Sequence, residues 1–183
     1  MTEKPRIVFF GTPDFAVPSL KALVSNGYRV VAVVTSPDKP AGRGLKERAS
    51  AVKECAVSFG LPVLQPINLK DPDFFNQLNA LQPDLQIIIA FRMLPRQIWA
   101  LPPMGTFNLH ASLLPRYRGA APIQRAVMNG EKKTGLTTFF LNDQIDTGKI
   151  ILSADTEIGP DETAGELYDR LKIMGADLVL KTV

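Results

Sequence analysis

The sequence predicts an α/β fold of the Rossmann-like kind: a mostly parallel sheet with helices on both faces. Three observations point there. Short apolar runs alternate with stretches whose apolar residues recur every three or four positions, as repeated strand–helix–strand units require. The stretch Leu85–Phe91 is almost continuously apolar, as a strand covered on both faces must be. The first apolar run, Arg6–Gly11, ends in Gly-Thr-Pro, a turn at the carboxyl end of a strand.

The elements follow in order along the chain. After the Arg6–Gly11 strand, Ala16, Leu20, Leu23 and Val24 share one helical face; Pro18 is tolerated in the first turn and Asn26-Gly27 ends the helix. Tyr28–Thr35 reads as the next strand. Ser36–Lys46 is dense in Pro and Gly and reads as an exposed loop. Ser50–Phe59 is helical and stops at Gly60, and Leu61–Leu64 is a short strand. Pro72–Leu81 is a helix leading into the central strand Leu85–Phe91. Thr106–Leu109 is a strand that delivers Asn108 and His110 at its end. Ile123–Asn129 is helical, and Leu136–Leu141 and Lys149–Thr156 are strands on either side of a turn holding Asp146. Ala164, Leu167, Leu171, Met174 and Leu178 recur at spacings of three and four, an amphipathic last helix.

Composition narrows the function classes. At 183 residues and 45% hydrophobic content the chain has the length of one domain and is neither disordered nor membranous. No apolar run reaches the roughly 20 residues that a spanning helix needs, and the polar start from Met1 to Lys4 carries no signal peptide. Cys55 is the single cysteine, which rules out an internal disulfide and suits the reducing cytoplasm; it reads as a small core residue. One histidine and one cysteine leave no zinc site. A net charge of +3 permits an anionic partner without demanding one. No Gly-x-Gly-x-x-Gly is present, so a dinucleotide is not expected.

The chemistry concentrates in Asn108-Leu109-His110. His110 is the only histidine, so any imidazole proton transfer belongs to it. In extended backbone, residues two apart face the same way, so the Asn108 amide and the His110 ring project together. An amide donor beside a titratable base is what acyl transfer to a neutral amine needs. Asp146, in the turn Asp146-Thr147-Gly148, is the candidate carboxylate to orient the ring and favour the imidazolium. Ser112 is not read as a nucleophile, because Ser-Leu-Leu-Pro lacks the glycine-flanked elbow. Tyr117 packs or touches substrate; Trp99 reads as core.

The run Asn108–Gln124 together with Asp146-Thr147-Gly148 resembles the folate-dependent formyltransferases. The similarity covers essentially the whole chain, through Ile7–Leu20 (IVFFGTPDFAVPSL), Thr35–Gly44 (TSPDKPAGRG) and Gly60–Pro66 (GLPVLQP). Within it, Pro40–Gly44 (PAGRG) points to the branch acting on tRNA, which makes initiator methionyl-tRNA the expected acceptor. The resemblance implies the formyltransferase fold, 10-formyltetrahydrofolate as formyl donor and co-substrate, and no metal. It makes Asn108, His110 and Asp146 catalytic. It assigns folate binding to Ser112, Leu113, Leu114 and Pro115, with Phe91, Arg92, Met93 and Leu94 as the opposite wall. It assigns tRNA contacts to Lys39, Arg43 and Lys46, whose loop also allows close backbone approach at its glycines. Arg116 and Arg118 project from a turn near the site and either contact tRNA phosphates or solvate the loop. Residues 1–183 would then be a catalytic domain, with the family's smaller C-terminal tRNA-binding domain absent from this chain, working as a cytoplasmic monomer away from membranes. The chain departs from the commoner pattern at Phe91-Arg92, where a tyrosine–glycine pair is usual and the loop is one residue longer. It departs again at Ser50-Ala51-Val52-Lys53, where a proline is usual. Two other readings stay open at this point: a formyltransferase acting on a small amine, either an amino sugar nucleotide or glycinamide ribonucleotide, and a non-catalytic folate-binding module.

Overall fold

The computed structural model describes residues 4–41 and 46–183. Its strands are β1 (Arg6–Gly11), β2 (Arg29–Val34), β3 (Lys39–Ala41), β4 (Lys46–Arg48), β5 (Val63–Leu64), β6 (Leu85–Ile89), β7 (Thr106–His110), β8 (Lys133–Phe140) and β9 (Ile150–Glu157). Its helices are α1 (Val17–Ser25), α2 (Ala51–Ser58), α3 (Pro72–Ala80), α4 (Arg96–Trp99), α5 (Pro122–Met128) and α6 (Ala164–Thr182). Seven strands form one sheet in the order β5-β2-β1-β6-β7-β8-β9. The first five run parallel; β8 and β9 are antiparallel additions at one side. The expected mostly parallel, two-faced sheet is therefore what forms.

Strand alternation splits the core into two layers. In β1, Ile7 and Phe9 join the cluster under α1, α2 and α6, while Val8 and Phe10 join the cluster under α3 and α4. Helix α6 lies close over β7 because residue 175 is glycine: a Cβ there would stand 2.8 Å from Leu109 Cδ2. Thr163 and Glu166 cap α6 reciprocally, which fixes where the helix begins.

Two elements differ from the sequence reading. Ser36–Lys46 is not wholly irregular: β3 and β4 pair antiparallel, Lys39 opposite Arg48 and Ala41 opposite Lys46. Pro40 is accommodated because, among the described residues, this two-stranded ribbon pairs with no further strand. The second is α4, a single turn starting after Pro95, too short to leave a periodic signal. Cys55 is buried in the core as expected, and burial pushes its thiol pKa up. No helix among the described residues is long and apolar enough to cross a membrane.

Chain winding places the site. From β1 the chain moves outward through β2 to β5, then returns to the other side of β1 for β6 and β7. Loops leaving the carboxyl ends of β1 and β6 thus diverge to opposite sides, and the crevice between them is where such sheets bind ligands.

Candidate active site

A cavity of about 870 Å³ opens at that crevice. The loop after β1 gives it Pro13 and Phe15, the segment after β6 gives Ala90–Arg96, the end of β7 gives Asn108 and His110, and the β8–β9 loop gives Leu141–Asp146. A volume of this size suits an extended small molecule held mostly by apolar walls with few polar groups.

The i, i+2 relation on β7 puts Asn108 and His110 on one face of the strand, both lining the cavity. Asp146, on the loop between two other strands, brings its Oδ2 to 3.7 Å from His110 Nδ1. Both side chains are nearly buried, 9% and 12% exposed, so the carboxylate would act on an imidazolium formed here with less screening than at the surface. The Gly119 amide donates to Asp146 Oδ2 at 2.8 Å, and Arg118 Nε donates to the Asp146 carbonyl oxygen at 2.9 Å. His110 Nε2 lies 2.9 Å from the Tyr117 carbonyl oxygen.

Four of the residues that shape this region hold left-handed backbone without being glycine: Ala90 (φ 47°), Tyr117 (φ 57°), Ala121 (φ 52°) and Asp146 (φ 51°). Each such conformation costs on the order of 1 kcal/mol or more and persists only where the surroundings enforce it. The strain sits where the chain turns back toward the cavity.

The two walls differ from expectation in one respect. Phe91, Arg92, Met93 and Leu94 do line the cavity. Phe91 packs edge-on against Phe10 at 5.6 Å, Leu94 is buried, and Met93 is 71% exposed at the rim. Arg92 donates to the carbonyl oxygens of Pro66 and Ile67 and so tethers this loop to the one after β5. Ser112, Leu113, Leu114 and Pro115 do not line it. Ser112 is fully buried and donates to the Arg116 carbonyl at 2.6 Å; Thr137 Oγ1 donates to the Ser112 carbonyl and accepts from the Leu114 amide. That segment is bound to β8. The rest of the lining includes Leu141–Asp146 and Gly119–Gln124. Trp99, read as core, is half-buried and also lines the cavity.

Sequence reasoning missed an aromatic wall. Phe15 packs against Tyr168 of α6 with ring centroids 5.1 Å apart, and both rings line the cavity. Tyr168 donates to Asp14 Oδ1 at 2.7 Å, while Lys172 Nζ stands 3.2 Å from Asp14 Oδ2. The Tyr168 hydroxyl, then Lys172, hold the Asp14 carboxyl below its ordinary range, and burial followed by the Asp14 contact pushes Tyr168 up. A carboxylate with depressed pKa contributes stability above its unfolded pKa, and loses it as pH falls through the folded value. Tyr168→Phe is therefore expected to raise the Asp14 pKa. The stability gap to wild type should be widest above about pH 4 and shrink in more acidic solution. Denaturant titrations at neutral and acid pH check this; a gap that grows on acidification would contradict it.

Among the described residues the expected cations fall in two places, on the paired strands β3 and β4 and in the segment after β7. Lys39 is exposed on β3 beside Asp38, whose carboxyl Lys53 and then Gln65 hold below the usual range. Arg43 lies outside the described residues, as does the side chain of Lys46. Arg116 pairs with Glu131, and Arg118 is engaged with Asp146 as above. Among the described residues no cluster of three or more His, Cys, Asp or Glu could hold a metal ion.

A family model described as formyl transferase matches residues 5–183. The chain belongs to the formyl transferase family. Among its curated relatives, methionyl-tRNA formyltransferase of Porphyromonas gingivalis is 56% identical over 99% of this chain and 56% of that protein. The proteins of the same name in Parabacteroides distasonis and Flavobacterium johnsoniae are 59% and 57% identical, each over 99% of this chain and 56% and 58% of their own length. The chain thus spans a little over half the length of these relatives. Among solved structures, glycinamide ribonucleotide transformylase 1 of Symbiobacterium toebii superposes with a TM-score of 0.83 at 20% identity, over 100% of this chain and 87% of that one. A formyltetrahydrofolate deformylase of Pseudomonas syringae reaches a TM-score of 0.78 at 17% identity, over 98% of this chain and 61% of that one. At these identities the likeness is one of fold, and it places this formyl transferase domain in the formyltransferase fold.

Proposed function

We propose that this chain is the catalytic domain of an enzyme that moves a formyl group from 10-formyltetrahydrofolate to the free amine of initiator methionyl-tRNA, acting as a monomer in the cytoplasm. The observation that carries the reading is the meeting of Asn108, His110 and Asp146 at one cavity in a chain more than half identical to methionyl-tRNA formyltransferases. In the proposed reaction the neutral amine attacks the formyl carbon, and a tetrahedral oxyanion forms. Asn108 donates to that oxygen. A donor so placed is worth about 3–4 kcal/mol in enzymes where it has been removed. His110 takes the proton the amine sheds and returns it to the folate nitrogen as the old carbon–nitrogen bond breaks. Asp146 stabilises the imidazolium between the two transfers. The folate lies along the Phe91–Leu94 wall, opposite Leu141–Asp146.

The test offers the protein 10-formyltetrahydrofolate with methionyl-tRNA, with glycinamide ribonucleotide, and with an amino sugar nucleotide. Formylated product is expected with methionyl-tRNA alone; formylation of either small amine instead would overturn the reading. In the same assay, the proposed tRNA contacts of Lys39 and Arg43 give a second readout. Each phosphate contact removed is expected to lower the slope of log affinity against log salt by about one. Lys39→Ala and Arg43→Ala should therefore flatten salt dependence and leave folate binding intact. Slopes superimposable on wild type would remove this loop from tRNA binding.

A further inference from the structure

The segment Arg116–Gly119 touches both members of the proton-transfer pair through its backbone. A carbonyl oxygen only accepts, so the 2.9 Å contact means that His110 Nε2 donates to the Tyr117 carbonyl. Two residues on, the Gly119 amide donates to Asp146 Oδ2 at 2.8 Å. Chain geometry therefore fixes the spacing between a group that holds the histidine and a group that holds the aspartate. The segment is itself pinned. Buried Ser112 donates to the Arg116 carbonyl at 2.6 Å, and Arg125 Nη1 donates to the Arg118 carbonyl at 3.0 Å. The Tyr117 hydroxyl donates to Glu131 Oε1 at 2.6 Å and accepts from Asn129 Nδ2 at 3.0 Å. Glu131 also pairs with Arg116 and is only 20% exposed. These bonds hold Tyr117 in left-handed backbone at φ 57°, which an L-residue rarely adopts unaided.

We propose that Tyr117–Gly119 is a backbone clamp that fixes the tautomer of His110, leaving Nδ1 as the working nitrogen, and that Glu131 is the positioning residue that keeps the clamp in register. With Nε2 carrying its hydrogen toward Tyr117, the neutral ring has one free lone pair, on Nδ1. Nδ1 faces Asp146 at 3.7 Å, beyond hydrogen-bond length, so the resting ring is not locked into a tight pair. In formyl transfer the amine proton passes to Nδ1, and from Nδ1 to the folate nitrogen as its bond to the formyl carbon breaks. The imidazolium formed between those events has an acceptor on each side, the Tyr117 carbonyl and Asp146. This explains why Tyr117 matters without lining the cavity: its carbonyl, not its ring, faces the histidine.

The kinetic part of this inference rests on the formyl-transfer reading; the tautomer part does not. His110 is the only histidine, so labelling with ring-¹⁵N histidine gives one pair of nitrogen signals, and Nε2 is told from Nδ1 by its couplings to both carbon-bound ring protons. Above the imidazole titration, wild type is expected to show Nε2–H alone, where a free imidazole mixes both forms. Glu131→Ala should let the Nδ1–H form appear. It should also cut turnover on the order of tenfold to a hundredfold, with little change in KM; Glu131→Gln, which still accepts from Tyr117, should restore both. Wild type with Nδ1–H or a mixture overturns the clamp, whatever the variants do. So does a Glu131→Ala protein that loses turnover while keeping the single tautomer, since Glu131 would then be merely structural. A clean Nε2–H spectrum in a protein that formylates nothing would count against the reaction and leave the clamp standing.

Discussion

His110→Ala is expected to lower formylation turnover by about a hundredfold to ten-thousandfold while the fold and folate binding survive. The size follows from what is removed. In the proposed reaction the amine and the folate nitrogen exchange a proton within one tetrahedral intermediate, and this is the only imidazole in the chain. Water reaches the buried, 8% exposed position poorly and cannot substitute at the same distance. Asn108→Ala should cost about a hundredfold to a thousandfold, the usual effect of losing one oxyanion donor. Because the two act on the same intermediate, the double variant should lose less than the product of the singles. Single-turnover rates with saturating substrates, alongside thermal unfolding to show an intact fold, decide this. Turnover near wild type for His110→Ala with both substrates bound would remove the mechanism.

Gly148→Ala should be nearly as damaging, although residue 148 does not line the cavity. A Cβ at this position would lie 1.5 Å from the Phe140 carbonyl oxygen, inside any van der Waals contact and against backbone that cannot rotate away. The neighbouring Phe140 amide donates to the Lys149 carbonyl at 2.9 Å, the bond that closes the β8–β9 loop. Making room for the methyl group opens that loop and carries Asp146 away from His110. A stability loss of about 1–3 kcal/mol or more is expected. Turnover should also fall on the order of a hundredfold, as a displacement near 1 Å can produce. Gly165→Ala is the control: its nearest neighbour is Thr163 Oγ1 at 3.9 Å, it lies in the first turn of α6, and alanine favours helix. It should be neutral or slightly stabilising. If Gly148→Ala unfolds at the same denaturant concentration as wild type and turns over normally, the loop tolerates what this geometry forbids.

The α/β class is legible in the chain alone, because burial on two faces demands the runs seen in β1 and β6 and the spacing seen in α6. So is the fact that Asn108 and His110 face one way, since strand periodicity is local. Asp146 was legible as a partner only through its turn and the family pattern; no local rule places a loop between β8 and β9 over the end of β7. The pairing of β3 with β4 was hidden because the residues of this stretch are those that usually mark a loop. The remainder of the site follows from contacts between segments distant in the chain. Ser112–Pro115 turns away from the cavity because β8 supplies Thr137 to bind its backbone, a contact between segments about 25 residues apart. Phe15 and Tyr168 meet because α6 crosses back over the turn after β1. The clamp at Tyr117 depends on a left-handed residue that is not glycine, so the usual signal for that conformation is missing. Local periodicity is written in neighbouring residues, whereas the cavity's walls are set by strand order and by turns whose strain is repaid only by distant hydrogen bonds.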